Sequence, residues 1–473
     1  MDNKQYDIGM IGLGTMGRNL ILNMGDKGFS AVGYDKDFNK ISLLEKEAGS
    51  LNIHAARSLD EFLGLLKKPR LIMMLVPAGA AVDAIIQEVL PFLEKGDVII
   101  DGGNSHFTDT GRRIKDLEAK GYNFIGVGIS GGEKGARFGP SIMPGGDKEA
   151  YRHLQPIFEA IAARAGDEPC VSYLGPGAAG HYVKMVHNGI EYGLIQLISE
   201  TYHLLKTGLD FTNDELGDLF KAWNAKELHS FLIEISAIIF HKEDDKKKGR
   251  LIDSILDQAR QKGTGKWTSQ DAMDLQIPLP TIDMAVVMRD MSAQKQERVA
   301  AAKILKGPSK NFSADKKKLT RQLEQALYFG MVTTYAQGMA LLKKASESYG
   351  YGLKLKEVAK IWRGGCIIRA ALLEDILSAY SEKPDLQNLI AETAFAGKLN
   401  EKQADLRTVI QTAVEMGIPV PGMMASLAYF DSYRSAWLPA NLVQAQRDFF
   451  GAHTYERIDK EGSFHTQWEQ KQE

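Results

Sequence analysis

The glycine pattern Gly12-Leu-Gly-Thr-Met-Gly17 lies between a strand pattern, Asp7-Ile-Gly-Met-Ile11, and a helical run at residues 19–24. A dinucleotide-binding turn requires this context. Its first glycine permits a tight turn, its second lets the backbone approach a pyrophosphate, and its third lets the helix pack on the strand, while the helix dipole favours the anion. The sequence therefore predicts that a dinucleotide binds at Gly12, Leu13, Gly14, Thr15, Met16 and Gly17.

The first 175 residues or so alternate short β-rich runs with helical runs. Strands are predicted at residues 6–11, 29–34, 70–76, 97–100 and 123–127. This alternation is typical of an α/β, doubly wound parallel sheet of the Rossmann type. After residues 175–180 long helical patterns continue to about residue 435, which predicts a large all-helical domain. Two charged stretches in it, 241–249 and 307–318, are predicted to be solvated loops.

Composition and charge exclude several classes of protein. The chain has 473 residues, and 58 lysines and arginines nearly balance 60 aspartates and glutamates, so neither nucleic acid nor an anionic membrane is an expected partner. No segment has the length and apolarity of a membrane span or a signal peptide. The two cysteines, Cys170 and Cys366, fit no metal or disulfide spacing and favour a reducing compartment. We therefore expect a cytoplasmic protein without a metal site.

Four polar residues follow helical spacing inside an apolar stretch: Lys184, His187, Asn188 and Glu191. Residues three, four and seven positions apart share one helix face, so an acid and a base would lie together. A solvated face with a Lys–Glu pair is the simpler alternative. Two glycines in the same run, at 189 and 193, each cost about 1 kcal/mol relative to alanine in a helix. That cost indicates close approach of another helix or of a ligand.

A weak similarity between the segments that end at Leu209 and Leu353 suggests an internal duplication of the helical unit. If the two copies align there, Tyr328 and Tyr335 take the places of Lys184 and Glu191. From about Gly451 the tail is polar and cannot form its own core. It is expected to be frayed or docked on something.

The residues after the second predicted strand bear on the choice of cofactor. Asp35 ends that strand, where an acidic side chain meets the adenosine ribose and repels a 2′-phosphate, which favours NAD over NADP. Lys36 could offset the repulsion by pairing with Asp35 or with the phosphate. Asp35 could instead cap the next helix. Two glycine-rich turns, at 101–105 and 128–135, follow later strands and either contact the substrate and nicotinamide or are only turns.

Several long motifs resemble the 6-phosphogluconate dehydrogenase family over essentially the whole chain. The family comprises decarboxylating enzymes of the oxidative pentose phosphate pathway. The motifs are Gly12-Leu-Gly-Thr-Met-Gly-Arg-Asn-Leu20, Asp101-Gly-Gly-Asn-Ser105, Ile129-Ser-Gly-Gly-Glu133, Met143-Pro-Gly-Gly146, Lys184-Met-Val-His-Asn-Gly-Ile-Glu-Tyr192, Gln261-Lys-Gly-Thr-Gly-Lys-Trp-Thr268, Trp362-Arg-Gly-Gly-Cys-Ile-Ile-Arg369 and Leu438-Pro-Ala-Asn-Leu-Val-Gln-Ala-Gln-Arg-Asp448. The resemblance implies a dinucleotide-binding domain at 1–178, a helical substrate and dimerisation domain with an internal duplication at 179–435, and a tail at 436–473. It also implies a homodimer in which that tail reaches the partner's active site.

The resemblance also assigns roles to residues. Lys184 would be the general base and Glu191 the general acid. The sugar acid would be held by Asn104, Ser130, Gly131, Gly132, His187, Asn188 and Tyr192. Its phosphate would be bound by Lys262, Thr264 and Arg289, and by Arg447 and His453 of the partner subunit. The cofactor would contact the glycine turn, Asp35, Lys36, Asp37, Val76, Pro77, Ala78 and Asn104.

Two departures from the family pattern concern the cofactor, which the resemblance implies is NADP. Family members typically have Asn-Arg-Thr where this chain has Asp35-Lys-Asp37, and many have a lysine at the position of Pro77. Two carboxylates in place of neutral and cationic side chains favour NAD or dual use.

The chemistry sets demands on the acid and the base. A lysine serves as base only if its pKa falls towards neutral, and an acid that protonates carbon needs a raised pKa. This route needs no metal. One rival function is that of a β-hydroxyacid dehydrogenase of the 3-hydroxyisobutyrate type, which is shorter and lacks the 261–268 segment. Another is that of a non-catalytic nucleotide-sensing homologue, against which the intact acid and base argue.

Overall fold

Strands and helices alternate through the first part of the computed structural model, which describes residues 5–308 and 315–469. The strands there are β1 (Ile8–Ile11), β2 (Ala31–Tyr34), β3 (Ile53–Ala55), β4 (Leu71–Met74), β5 (Val98–Asp101), β6 (Asn123–Ser130), β7 (Ser141–Gly146), β8 (Arg164–Ala165) and β9 (Glu168–Pro169). The first seven form one sheet in the order β3-β2-β1-β4-β5-β6-β7. Its strands run parallel except β7, which pairs antiparallel with β6, while β8 and β9 form a separate hairpin. The register sets Met74 opposite Asp101.

Helices cover both faces of this sheet. They are α1 (Thr15–Asp26), α2 (Phe38–Ala48), α3 (Leu59–Gly64), α4 (Ala80–Val89), α5 (Phe107–Glu118), α6 (Gly132–Phe138) and α7 (Lys148–Ile161). One apolar cluster joins α1, α2 and α7 to one face, and a second joins α3, α4 and α5 to the other. Because both faces are covered, the central strands are apolar throughout rather than alternating. The predicted Rossmann-type sheet is therefore confirmed.

Two of the sheet's strands were not predicted from the sequence. The residues of β7, Ser-Ile-Met-Pro-Gly-Gly, are typical of a turn because proline lacks an N–H donor and glycine weakens a strand. The reason for Gly145 lies in the next helix: a Cβ at this position would lie 2.2 Å from the backbone N of Gly180. The composition of β7 therefore reflects what packs on it.

The second part of the chain is helical, as predicted. Its helices are α8 (Ala179–His203), α9 (Asn213–Asn224), α10 (Phe231–His241), α11 (Thr264–Asp274), α12 (Pro280–Ala293), α13 (Lys295–Ala301), α14 (Lys316–Tyr349), α15 (Leu355–Trp362), α16 (Leu372–Glu382), α17 (Thr393–Met416) and α18 (Pro421–Tyr433). The long helices α8 and α14 pack on each other, and α11 and α12 also pack on α8. None of the helices in residues 5–308 and 315–469 is both long and apolar enough to cross a membrane.

Local signals explain several ends of these helices. A capping box of Thr212 and Glu215 begins α9, and Gly350, with a φ of 68°, ends α14. The loop predicted at 307–318 lies partly outside the described residues, and its last three residues already belong to α14. The segment at 242–250, between α10 and the next helical turn, is non-helical, as predicted.

The chain divides into two compact units, Met1–Ser426 and Leu427–Glu473, with the boundary inside α18. The second unit contains helix α19 (Ala440–Gly451) and a hairpin of β10 (Tyr455–Glu456) and β11 (Ser463–Phe464). Asp448 is fully buried there and accepts bonds from the backbone N of Thr454 and of Thr466 and from the side chains of His465 and Trp468, at 2.8–3.0 Å. A carboxylate thus organises a segment that is too polar for an apolar core.

Candidate functional site

The predicted acid and base residues lie on α8, where they form one connected hydrogen-bond chain. Lys184 Nζ donates to Asn188 Oδ1 at 2.8 Å, and His187 Nδ1 donates to the same oxygen at 3.0 Å. With Nδ1 as donor, His187 Nε2 accepts from Ser130 Oγ at 3.2 Å. The chain of bonds therefore joins the end of β6 to the ridge of α8, and it fixes the His187 tautomer.

Burial moves the protonation equilibria of this ridge in the direction the chemistry requires. Lys184 is buried, and desolvation lowers its pKa below the ordinary value. Burial likewise holds the pKa of His187 well below its usual range, with the charge of Lys184 acting in the same direction. Burial raises the pKa of Glu191, against the opposing effects of Lys184 and Arg289. The alternative of a solvated helix face is wrong.

The glycines of α8 are explained by close packing of neighbouring helices. A Cβ on Gly189 would lie 2.6 Å from Cγ2 of Thr268 on α11, and one on Gly193 would lie 2.6 Å from Cγ2 of Thr334 on α14. Thr268 also donates through Oγ1 to the carbonyl oxygen of Met185 at 2.9 Å. The predicted close approach is therefore that of two helices rather than of a ligand.

Glycines of the sheet play the same part on the other side of α8. A Cβ on Gly128 of β6 would lie 2.4 Å from Cβ of Lys184, and one on Gly180 would lie 2.4 Å from the carbonyl oxygen of Gly126. The first turns of α8 thus lie directly on β6 and β7. This contact holds the polar ridge of α8 next to the carboxyl end of β6, where the 128–135 turn begins.

The predicted phosphate ligands of the first unit lie near the N-terminus of α11. Thr264 is its first residue, and Gly263, with a φ of 98°, precedes it without a side-chain cap, so the first N–H groups point out of the helix. A Cβ on Gly265 would lie 2.3 Å from the ring of Tyr192, and the Arg289 guanidinium lies over the same ring, 3.4 Å from its centroid.

Lys262 is exposed beside this helix end. Its neighbour Gln261 donates through Nε2 to Oδ1 of Asp290 at 2.6 Å, which draws the segment towards Arg289 on α12. The structure therefore brings Lys262, Thr264 and Arg289 to one region, next to Tyr192 and Glu191. An anion there would meet two cations and a helix N-terminus.

The turn after β6 has the backbone of an anion-binding turn. Gly131 and Gly132 have φ values of 114° and 61°, which favour glycine. A Cβ on Gly131 would lie 2.6 Å from the carbonyl oxygen of Gly365, so the turn rests on the 362–366 segment. That segment also supplies Trp362, which packs edge-on against His187 with ring centroids 5.8 Å apart.

Sequence reasoning gave the 362–366 segment no role. The signal that could have indicated one is the Gly364-Gly365 pair, which follows a tryptophan in a helical pattern. Cys366, buried next to Gly365, has its pKa raised to about 12 by burial and its thiol donates to the carbonyl oxygen of Trp362. Cys366 therefore packs as a neutral thiol beside the polar ridge of α8.

The glycine turn after β1 has the geometry the sequence predicted. A Cβ on Gly12 would lie 2.5 Å from the carbonyl oxygen of Leu75, and one on Gly17 would lie 1.9 Å from that of Gly12, whereas Gly14 has open space within 4 Å. Helix α1 begins at Thr15 without a side-chain cap. The residues present therefore fit a pyrophosphate, because free N–H groups and room for an anion occur together. Leu13 is buried and Met16 partly buried behind the turn.

The end of β2 differs in detail from the sequence expectation. Asp35 Oδ2 accepts from the backbone N of Leu13 at 2.8 Å, and Lys40 Nζ lies 3.3 Å from the same oxygen. Asp37, not Asp35, caps α2, so the capping alternative for Asp35 is wrong. Lys36 Nζ binds Glu88 Oε1 at 2.6 Å rather than Asp35. A cavity of about 470 Å³ adjoins this end of the strand. Its lining includes Asp35, Lys36, Lys40, Val76, Pro77 and Glu88.

Two turns lie between this cavity and α8. The 76–79 turn carries Val76, Pro77 and Ala78. The 101–105 turn exposes Asn104 and is held from within, since Asp101 accepts from the backbone N of Gly103 at 2.9 Å and from Ser105 Oγ at 2.5 Å. The side chain of Asn104 is therefore presented outward by a fixed turn.

The remaining predicted ligands, Arg447 and His453, lie in the second unit and are exposed there. Arg447 lies on α19 directly before the buried Asp448, and its Nη1 donates to Gln444 Oε1 at 3.1 Å. His453 lies just after α19, near Phe450. For metals, the part of the chain that the structure describes contains no group of three or more His, Cys, Asp or Glu side chains placed to hold an ion.

Comparisons with known proteins cover the whole of this architecture. The model described as "NAD binding domain of 6-phosphogluconate dehydrogenase" matches residues 7–175, and that of the "6-phosphogluconate dehydrogenase, C-terminal domain" matches residues 180–468. A Bacillus subtilis protein described as "6-phosphogluconate dehydrogenase, NADP(+)-dependent, decarboxylating" is 53% identical over 465 residues, which are 98% of this chain and 99% of that protein. A Synechocystis relative described as a decarboxylating 6-phosphogluconate dehydrogenase is 52% identical over 467 residues, or 97% of each chain.

Among solved structures, the 6-phosphogluconate dehydrogenase of Plasmodium falciparum superposes with a TM-score of 0.93 and 44% identity. The match covers 98% of this chain and 100% of that chain. That protein was solved in its apo form, with its cofactor NADP+ and with its substrate 6-phosphogluconate.

Proposed function

The chain belongs to the family of decarboxylating 6-phosphogluconate dehydrogenases, and we propose that Lys184 and Glu191 share the proton transfers of the reaction. The reaction is the oxidative decarboxylation of 6-phosphogluconate to ribulose 5-phosphate and carbon dioxide with reduction of NADP. The observation that carries the proposal is that Lys184 is buried against the amide oxygen of Asn188 rather than a carboxylate. Desolvation then favours the neutral amine, which a base requires.

The first half of the reaction needs a base at the substrate hydroxyl. Neutral Lys184 accepts the hydroxyl proton as the hydride leaves the same carbon, and the bound nicotinamide supplies the hydride acceptor. The product is a β-keto acid. Protonated Lys184 then donates to the ketone oxygen, which draws the electrons of the breaking carbon–carbon bond as carbon dioxide leaves. Burial of the site helps because the surrounding protein excludes bulk water that would compete for the proton.

The second half needs an acid at carbon. The enediol that remains is protonated at its terminal carbon by Glu191, whose raised pKa keeps a proton on the carboxyl group. Lys184 accepts the enediol hydroxyl proton at the same time, and a proton passed from Lys184 to Glu191 restores the starting pair. The two residues lie seven positions apart on α8, about 10 Å along the axis, so they can address different atoms of one substrate.

The rest of the site would orient the substrate. Ser130, His187 and Asn188 are held in one hydrogen-bond chain and would bind the carboxylate and hydroxyl groups, together with Asn104, Gly131, Gly132 and Tyr192. Lys262, Thr264 and Arg289 would bind the phosphate at the N-terminus of α11. Because this anchor lies away from the reacting carbon, its binding energy serves orientation.

The test compares three variants with the wild type. Lys184→Met should lower kcat by about 10³-fold or more, because general-base catalysis contributes about 10²- to 10⁴-fold and the amine also polarises the ketone. Its Kd for NADP should stay within about twofold, since the dinucleotide contacts lie elsewhere. Normal turnover of Lys184→Met would refute the base assignment.

Glu191→Gln should keep hydride transfer in a single turnover but slow the incorporation of a solvent proton at carbon. The matched control is Glu200→Gln, a second buried glutamate of α8 that lies two and a half turns further along the helix. It should retain wild-type kcat. If the two glutamine variants lose activity equally, Glu191 contributes to the structure of the helix and not to the reaction.

The prediction that NAD is also accepted concerns the end of β2. This region contains two lysines, Lys36 paired with Glu88 and Lys40 paired with Asp35, and a third carboxylate, that of Asp37, which caps α2. This excess of negative charge opposes a 2′-phosphate. Steady-state kinetics with both nucleotides should show comparable kcat/KM values, and Asp35→Asn should shift the ratio towards NADP about tenfold. A wild type that strongly prefers NADP would contradict the electrostatic argument.

The rival β-hydroxyacid dehydrogenase function lacks support from the site. That function leaves the α11 N-terminus and the Lys262 segment without a role, whereas the relatives of the proposed family match 97–99% of both chains. The nucleotide-sensing rival leaves the buried Lys184 without a role. An assay of reduced nicotinamide with 6-phosphogluconate and with an unphosphorylated hydroxy acid distinguishes all three.

We further propose a homodimer in which Arg447 and His453 of the partner subunit complete the phosphate site. The second unit supports this idea because Trp437, Phe450 and Ile458 are exposed on it, and large apolar patches mark interfaces. Mixed dimers of Lys184→Met and Arg447→Met chains provide the test. If sites are shared, mixing restores about a quarter of wild-type activity, since half of the dimers then contain one intact site. No recovery would mean that each chain completes its own site.

The functional division of the chain follows from these roles. We propose a cofactor domain at 1–178, a substrate and dimerisation domain at 179–435 and a tail at 436–473. The buried, free thiols of Cys170 and Cys366 suit a reducing compartment, which supports a cytoplasmic location.

A further inference from the structure

The two turns that face the dinucleotide between the glycine turn and α8 lie close to each other. A Cβ on Gly103 of the 101–105 turn would lie 3.2 Å from the carbonyl oxygen of Val76 in the 76–79 turn. These turns follow β4 and β5, which are neighbours in the sheet. A dinucleotide that crosses the carboxyl ends of the strands must therefore meet both turns, and their separation sets how its two halves are held.

One buried side chain contacts both turns. Arg113 of α5 is 2% exposed. Its Nη2 donates to the carbonyl oxygen of Gly79 at 3.0 Å, at the end of the first turn, and its Nη1 donates to Ser105 Oγ at 3.3 Å, at the end of the second. Nη1 also lies 3.5 Å from Asp101 Oδ2, a carboxylate that is itself buried. The planar guanidinium thus spans the gap behind the turns.

A third contact fixes the plane of the guanidinium. Nε and Nη2 of Arg113 donate to the two carboxylate oxygens of Asp83 on α4 at 2.8 and 3.1 Å. Such a two-point bond sets orientation as well as distance, which a lysine ammonium cannot do. Because α4 follows the first turn and α5 follows the second, Arg113 joins both turns and both helices that continue from them.

We propose that Arg113 is a positioning residue for the cofactor: it fixes the separation of the 76–79 and 101–105 turns and so holds the two halves of the bound dinucleotide in register. It touches neither the cofactor nor the substrate. The proposal rests on the proposed function only in that a dinucleotide binds across these turns. It predicts that loss of Arg113 weakens binding of the whole dinucleotide more than binding of its adenosine half.

The test uses the purified full-length chain and two ligands, NADP and adenosine 2′,5′-bisphosphate, titrated by calorimetry. Arg113→Met should raise the Kd for NADP about tenfold or more and the Kd for the bisphosphate no more than about twofold. In steady state the KM for NADP should rise while the KM for 6-phosphogluconate stays unchanged. If both ligands weaken equally, or neither does, Arg113 has only a structural role and the proposal fails.

Arg112→Met is the matched control. Arg112 is the adjacent residue and binds the same carboxylate of Asp83 at 3.0 and 3.1 Å, but it is half exposed and pairs with acidic side chains of α4 and α5. It should bind both ligands as the wild type does. An NADP defect in Arg112→Met equal to that of Arg113→Met would assign the effect to Asp83 and overturn the proposal.

Arg113→Lys covers the case in which the methionine variant does not fold. A lysine keeps the positive charge beside Asp83 and Asp101 but cannot reach both turns at once. It should fold and show the same selective loss for NADP, with a smaller factor. Wild-type NADP binding by Arg113→Lys would refute the proposal. A wild type that binds neither ligand would instead refute the cofactor site itself, so the two failures are distinguishable.

Discussion

The region around α8 and the tail unit each contain a carboxylate that accepts backbone N–H groups, yet the pKa values of the two carboxyl groups are shifted in opposite directions. Glu200 of α8 accepts from the backbone N of Gly422 and Met423 at 2.7 and 2.9 Å, and burial raises its pKa to about 7. Burial also acts to raise the pKa of Asp448, but bonds from His465, Thr466, Trp468 and Thr454 outweigh it and lower that pKa to about 2.

The opposite pKa shifts of Glu200 and Asp448 indicate which interactions stabilise each region. Around α8 apolar packing determines the structure, and a carboxylate within it tends to take up a proton. In the tail the charged carboxylate of Asp448 organises the structure, because four hydrogen-bond donors surround it where α19 and the hairpin meet. Removing the negative charge should therefore stabilise the region around α8 and destabilise the tail.

The largest expected effect is on the pH dependence of stability through Glu200. Its pKa is raised in the folded state, so between about 4.5 and 7 the folded chain binds more protons than the unfolded chain, and stability falls as pH rises. From pH 5 to pH 8 this group should remove about 2–3 kcal/mol from the free energy of unfolding. Urea unfolding of the wild type and of Glu200→Gln at both pH values measures the difference.

In Glu200→Gln that part of the pH dependence should disappear. The control is Glu401→Gln, an exposed glutamate on α17, which should keep the wild-type slope. Parallel slopes for the wild type and Glu200→Gln would mean that Glu200 is ionised throughout, and the contrast with Asp448 would be lost.

The next effect concerns packing at α8. Gly189→Ala places a methyl group against Thr268, a β-branched side chain already fixed by its bond to Met185. Overpacking costs about 1–3 kcal/mol, and the helix gains about 1 kcal/mol from alanine, so we expect a net loss of up to about 2 kcal/mol. Thermal and urea unfolding measure it. A more stable Gly189→Ala would show that α11 can move away from α8.

A smaller and local effect should follow from Asp448→Asn. The variant keeps the shape of the side chain but removes the charge, so the tail should open more often and trypsin should cleave after Arg457 about tenfold faster. Cleavage in the 242–248 loop of the first unit serves as the internal control and should not change. In the wild type the tail should loosen as pH falls from about 4 towards 2, because the lowered pKa makes its stabilisation present above that range. Unchanged cleavage after Arg457 would contradict the role of the charge.

The smallest effect, of opposite sign, belongs to Gly397→Ala. Gly397 lies on the exposed face of α17, and a Cβ there meets nothing within 4 Å. Helix propensity alone should raise the free energy of unfolding by about 0.5–1 kcal/mol. With Gly189→Ala it forms a pair that differs only in what the added methyl group meets. If both substitutions change the free energy of unfolding in the same direction, packing against Thr268 does not explain the effect at Gly189.

Local patterns were enough to predict five of the seven strands of the sheet, the helical half of the chain and the polar ridge of α8. The fingerprint of Gly12 and Gly17, and the spacing of Lys184 and Glu191, express contacts within one element or between neighbours in sequence. The cost of Gly189 could also be recognised, although not its neighbour, since Thr268 lies 79 residues later in the chain.

Other features depend on contacts that no local pattern encodes. Strand β7 contains Pro144 and Gly145 because α8 packs there, and Asp35 turns towards Leu13 because that N–H group lies within its reach. Arg113 was not singled out because its partners come from three separate segments. Asp448 was included only as part of a motif, since a single aspartate in a polar tail does not indicate a buried centre.

The contact of α8 with β6 and β7 has a consequence for motion. Side chains usually act as soft spacers between a helix and a sheet, because their torsions absorb small displacements. Here Gly128, Gly145 and Gly180 leave backbone against backbone and against the Cβ of Lys184. Such a joint has few rotatable bonds that could absorb a displacement, so Lys184 and the neighbouring edge of the sheet should fluctuate together as one rigid body. Opening for substrate entry and product release would then occur elsewhere, at the part of the proposed site that α11 contributes.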